Sequence, residues 1–169
     1  MMKFETTNTP GYVALHDEGG ALVTGYQFDH FNYQPFCHPV TLAGSIPLTM
    51  INPGDHPWHN GMYFSWKHLN GCNVWDFEAS GGRSGQVEHV SLDLNPDRPA
   101  LTHVIEWSDD EGTALLRDTR TLTVTPLAED PFHYAYDWHF HFEALVPEVV
   151  CDADKQWGNY AGLGIRFAR

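Results

Sequence analysis

In "NPGDHPWHNGMYFSW", residues 52–66, one carboxylate and two imidazoles stand in a stretch broken by Pro53, Gly54, Pro57 and Gly61. Imidazoles change charge near neutral pH, and a carboxylate beside one orients it. Asp55, His56 and His59 therefore suit proton transfer or hydrogen bonding to a polar ligand. Pro57 biases His56 away from helical backbone, so a constrained loop presents these groups rather than one helix face. Such a loop loses little entropy when it grips a ligand. The plainer alternative is that Asp55 forms an Asx-turn and the imidazoles only pack. The crowding of Asp55, His56, Trp58 and His59 on one punctuated loop favours a site.

Other groups are candidates to join the loop. His38 adjoins Pro39 in "QPFCHPV", and His89 lies in "GQVEHV" on a strand whose Glu88 faces the other way. Arg120 and Arg166 sit among apolar neighbours, where a guanidinium needs a carboxylate such as Asp118 or Asp137, or a bound anion. His38, Asp55, His56, His59 and His89 are ligand types for zinc, copper or iron. Their spacing matches no zinc signature, so no metal or other cofactor is assigned, and a transition metal stands as the alternative. Nucleophile elbows and phosphate loops are absent, and Cys37, Cys72 and Cys151 lie in no nucleophile motif.

The elements that must position these groups read as strands. In "HYAYDWHFHFEAL" aromatic residues alternate with His133, Asp137, His139 and His141, a period of two that gives one apolar and one polar face. "LLRDTRTLTVT" puts Arg120, Leu122 and Val124 on one face and threonines on the other. "QVEHVSLDL" and "ALTHVIEW" flank a turn at "NPDRP", and "SDDEGT" has the composition of a hairpin connection. "YVALHD", "ALVTGYQF" and "MYFSW" are earlier strands, with Gly19 and Gly20 turning between the first two. Sustained helical periodicity is missing, which predicts an all-β, antiparallel sandwich forming a single domain over residues 1–169.

Composition narrows the partners. With 22 Asp and Glu against 9 Lys and Arg, the net charge of −13 repels nucleic acid and anionic membranes. Neither is expected as a partner. Three cysteines without a C-x-x-C pair read as reduced thiols, and with no visible export signal the expected location is cytoplasmic.

Taken in order, "PFCHPVTLAGSIPLT", "PGDHPWHNGMYFSWKHLNGCNVWDF", "GQVEHV", "LLRDTRTLTV" and "GNYAGLGIRFA" resemble the bacterial family labelled methane oxygenase PmoA, over about Gln34 to Ala168. Members usually show an H-P, a D-H-x-H-H-like block, a G-x-x-x-H, an E-x-R and a terminal G-G-L-G-x-R. Here Trp58 stands at the place of a histidine, and Asp118 shortens the E-x-R carboxylate. The resemblance implies a β-supersandwich similar to galactose mutarotase in a chain longer than this one, so missing C-terminal strands and an open β edge are expected. It also implies a carbohydrate as the small-molecule partner. His56, His59 and His89 would be the catalytic groups, with His38, Asp55, Trp58, Arg120, Asp137 and Arg166 binding the sugar or sugar acid. The family label itself points instead to a metal-dependent oxidoreductase, and a non-catalytic sugar-binding module or inactive fragment is the remaining alternative.

Overall fold

Why a chain rich in alternating aromatic and polar residues should fold into two facing sheets is visible strand by strand. The computed structural model describes residues 2–28, 34–42, 46–76, 84–127, 130–153, 155, 159 and 161–168. Among them the strands are β1 (Phe4–Thr6), β2 (Tyr12–His16), β3 (Leu22–Gln27), β4 (Phe36–Leu42), β5 (Ile46–Pro47), β6 (Met62–Ser65) and β7 (His68–Leu69). The chain continues with β8 (Cys72–Asn73), β9 (Gln86–Leu94), β10 (Ala100–Ser108), β11 (Ala114–Leu127), β12 (Asp130–Ala144), β13 (Cys151–Asp152) and β14 (Gly162–Ile165). The described residues include no α-helix.

A seven-stranded sheet runs β1-β2-β3-β4-β6-β14, with β5 beside β4, and faces a four-stranded sheet ordered β12-β11-β10-β9. A small sheet, β13-β7-β8, stands apart. Neighbouring strands in all three sheets pair antiparallel. The expected all-β antiparallel sandwich is what the chain forms. Its turns at Gly19–Gly20 and in "SDDEGT" lie where expected, and an aspartate closes each. Asp17 Oδ1 accepts from the N–H of Gly19 and of Ala21, and Asp109 Oδ1 accepts from those of Glu111 and Thr113. Each is an Asx-type closure of a hairpin.

The period-two pattern decides which side chains meet between the sheets. Val13, Leu15, Val23, Tyr26, Cys37 and Met62 from one sheet pack on Leu101, Leu122 and Val124 from the other, and Trp138 of β12 closes against them. A second cluster, including Leu69, Val74, Ile105 and Trp107, fills the space beneath the small sheet. Since Met62 lies in the inter-sheet core and the Phe64 ring lies 4.4 Å from Phe140 across it, Tyr63 between them must face outward.

One charged pair sits in the middle of this apolar interior. Asp118 and Arg120 are both fully buried, and Arg120 Nη2 donates to Asp118 Oδ2. The guanidinium lies 5.4 Å from the Phe140 ring centre and 6.0 Å from that of Phe64, so aromatic faces surround much of the cation. Of the two outcomes expected for Arg120, the structural ion pair with Asp118 is the one observed. Removing one partner strands the other charge in the core, which typically costs about 3–5 kcal/mol, whereas an apolar pair of similar volume is often tolerated. Asp118→Asn should therefore lower unfolding stability by several kcal/mol in urea titrations. The double variant Asp118→Leu/Arg120→Met should lose much less.

Candidate functional site

On the outward face of the seven-stranded sheet, the loop between β5 and β6 is built by backbone bonds of short reach. The His56 N–H donates to Pro53 O at 3.0 Å and the His59 N–H to His56 O at 3.0 Å, giving two consecutive turns. Asn60 Oδ1 accepts from the Asn52 N–H, and Asn52 adopts a left-handed conformation at φ 47°, which asparagine tolerates. Gly61 then enters β6 at φ 57°, and a Cβ there would lie 2.0 Å from Cys37 O. Only glycine satisfies both demands.

The base of the loop is closed from far along the chain. The Arg166 N–H donates to Gly61 O at 2.7 Å and Arg166 O accepts from the Met50 N–H at 3.1 Å. Its side chain reaches back over the loop, where Nη2 donates to Asp55 Oδ1 at 2.7 Å and Oδ2 at 2.8 Å. Asp55 Oδ2 also lies 3.1 Å from His56 Nδ1. The Arg166 guanidinium, then the His56 contact, hold the Asp55 carboxyl far below the usual carboxylate range. An ionised Asp55 makes His56 Nδ1 the donor in that contact, so in the neutral ring Nε2 is the acceptor.

Aromatic rings form the rest of the surface. His56 and His59 stack with centroids 4.8 Å apart and 19° between planes. Trp58 meets the His56 ring edge-on at 5.5 Å, and His59 continues to Tyr63 and Trp75, each at 5.9 Å. Phe36, Tyr63 and Trp75 are the buried floor, with Trp58 packed on it. Trp75 is placed by Asn73, whose Oδ1 accepts from the Trp75 N–H at 3.1 Å, while Asn73 Nδ2 donates to Asp76 at 2.7 Å. Lys67 pairs with the same Asp76 carboxylate. Partial burial, then the neighbouring His56 and Arg166 charges, push the His59 imidazole down to about 4. His59 is therefore a neutral ring at physiological pH.

Asp55, His56, Trp58, His59 and Arg166 thus come together, as the sequence led one to expect for the loop itself. His38 lies at its margin: its Cβ is 3.0 Å from the position a Gly61 Cβ would take, and its Nδ1 lies 3.0 Å from Thr49 Oγ1. His89 and Arg120 belong to a different setting, between the sheets and at the β9 surface, described below. Asp137 is exposed on the outer face of β12, opposite Thr123. Trp75, Asp76 and Lys67 were not singled out from the sequence. The signal available was "GCNVWDF", where an Asn two residues before a Trp marks a side-chain-closed turn.

A metal is poorly served by this arrangement. Arg166 occupies both Asp55 oxygens, and the stacked imidazoles hold their nitrogens in nearly parallel planes rather than aimed at one point. Among the described residues no group of three His, Cys, Asp or Glu is disposed to hold a metal ion.

Comparison with known proteins corrects one expectation. The profile that matches is that of a family of unknown function (DUF6807), over residues 14–169, and nothing links the chain to the methane oxygenase PmoA family. No curated protein and no solved structure matches the chain, so the mutarotase-like subtype gains no support from comparison. The motifs behind the earlier resemblance are short H-P, G-x-x-x-H and G-L-G-x-R patterns, which a strand-rich chain accommodates readily. No helix among the described residues is long and apolar enough to cross a membrane.

Two consequences can be measured. Gly61→Ala should lower stability by more than about 1 kcal/mol, because the backbone is left-handed and the Cys37 carbonyl blocks the methyl. Denaturant unfolding of the purified variant would show it. The second concerns acid. The unfolded chain protonates His59 near pH 6.5 and the folded chain only near 4. Its stabilising contribution is therefore complete above about pH 6.5 and lost as pH falls towards 4. His59→Gln should reduce the stability difference between pH 7 and pH 5 relative to the parent protein, as read from unfolding midpoints at both pH values.

Proposed function

The chain belongs to DUF6807, a family of unknown function, and we propose that its loop-and-sheet cluster binds and acts on a carbohydrate ring. The observation that supports this reading most is the Asp55–His56 pair set against stacked rings on a rigid, Arg166-clamped loop. A sugar offers apolar C–H faces and a rim of hydroxyl groups. The half-buried Trp58 ring suits the faces, while the Asp55 carboxylate, the Arg166 guanidinium and His56 Nε2 suit the rim. His56, oriented through Nδ1 by an ionised carboxylate, is disposed to take a proton from a ligand hydroxyl or ring carbon. Neutral His59 backs that imidazole by stacking and does not compete for the proton. The three cysteines are free thiols, which agrees with a reducing, cytoplasmic location.

The test is a panel of neutral sugars and uronic acids titrated into labelled protein, with chemical shifts of residues 52–66 as the readout. At least one sugar should move Trp58 and His56 together. Aromatic stacking is worth about 0.5–1.5 kcal/mol, so Trp58→Ala should weaken that binding about two- to twelve-fold with little change in folding. His56→Ala should abolish any turnover while keeping most of the affinity. If no sugar in the panel perturbs the loop, the reading fails.

A further inference from the structure

A second line of polar groups, unrelated to the loop, crosses the core. From Tyr26, beside the Arg120 charge, it passes to His103 and His89. Tyr26 and His103 are fully buried, and His89 emerges exposed on β9. The Tyr26 hydroxyl lies 2.8 Å from His103 Nδ1, and His103 Nε2 lies 2.9 Å from His89 Nδ1. The buried Arg120 guanidinium acts on the Tyr26 phenol through its charge.

Chemistry gives this line a direction. The buried Tyr26 hydroxyl has His103 Nδ1 as its hydrogen-bond partner, and a buried O–H left without an acceptor is costly. The one phenol proton is then given to His103 Nδ1. A neutral imidazole that accepts at Nδ1 carries its proton on Nε2, and that proton goes to His89 Nδ1. His89 accepts in turn and keeps its own proton on Nε2, the nitrogen left for solvent. Burial lowers the affinity of both rings for a second proton, pushing His103 down to about 2, which keeps the line neutral between its ends. The order cannot reverse without stranding the phenol proton in the core.

Burying such a line costs stability that apolar residues in the same places would not forgo. Its outlet is His89, whose ring lies 5.1 Å from that of Phe28. We propose that His89 is a ligand-recognition point committed to donating from Nε2–H to an oxygen acceptor, a carbonyl or carboxylate, with Phe28 flanking the bound group, and that Tyr26 and His103 are its positioning residues. Two histidines this close resemble half of a metal site. Here one of the facing nitrogens is protonated and the other accepts that proton, while the outward nitrogen of His89 is protonated as well.

Long-range ¹H–¹⁵N correlation spectra of the imidazoles test the assignment directly. At neutral pH the wild-type protein should show His89 and His103 both as Nε2–H tautomers. Sodium acetate, titrated at constant ionic strength, should shift the His89 Nε2–H signal, and zinc chloride should leave it unmoved. In His103→Leu the tautomers of His89 should mix and zinc should now perturb it. His103→Gln should restore the wild-type pattern, since its amide accepts from Tyr26 through oxygen and donates to His89 through nitrogen. If His103→Leu does not fold, the wild-type and His103→Gln spectra carry the test. An Nδ1–H or mixed tautomer at His89 in the wild type, zinc binding there, or indifference to acetate would each overturn the proposal.

Discussion

A guanidinium with no access to water sets the terms for the sandwich. Arg120 projects from the middle of β11 into the space between the sheets, and everything around it answers its charge: the Asp118 carboxylate two residues away on the same face, the Tyr26 phenol from the opposite sheet, and the rings of Phe64 and Phe140. The attraction between Asp118 and Arg120 in this interior is large only because desolvation has already been incurred. A shift of β11 by one residue would turn both charges out to solvent and bring threonines inward, so the pair also discriminates against slipped register.

The same alternation that puts Arg120 inside divides the chemistry of the molecule in two. On β6, Met62 and Phe64 go to the core while Tyr63 faces the loop cluster. Thus one strand separates a buried line of polar groups from an exposed group of rings and charges. The two histidine sets also differ in kind. His56 is paired with a carboxylate and presents an acceptor nitrogen, whereas His89 is paired with another imidazole and presents a donor. Their partners, not their own residue type, decide this.

Much of the sheet architecture was legible because it rests on local pattern. Residues 86–94 read as a strand and form β9, and the faces assigned on β11 from Arg120, Leu122 and Val124 are the faces observed. The turns at Gly19–Gly20 and in "SDDEGT" fall where their composition placed them. What sequence could not convey was pairing at long range. Nothing near Asp55 announces that Arg166 will clamp it, and nothing in "ALTHVIEW" separates His103 from the other histidines until β3 lies across it. Trp75 was hidden for a related reason: its place depends on the Asn73 turn and on Tyr63 from another strand. Short motifs read without these contacts also led towards the wrong family.

Arg166 joins the loop base across a sequence separation of 111 residues. Closing so long a segment costs entropy that local contacts cannot offset in advance, and contacts of large sequence separation form late. Asp55 to Gly61 therefore leave the ribosome and can begin to turn well before the strand that fixes them has been made. In the nascent protein the sandwich nucleus around β9 to β12 is free to assemble first, as a run of antiparallel neighbours, with the 52–61 loop still unclamped. The loop is then fixed in one event, the docking of β14 beside β6.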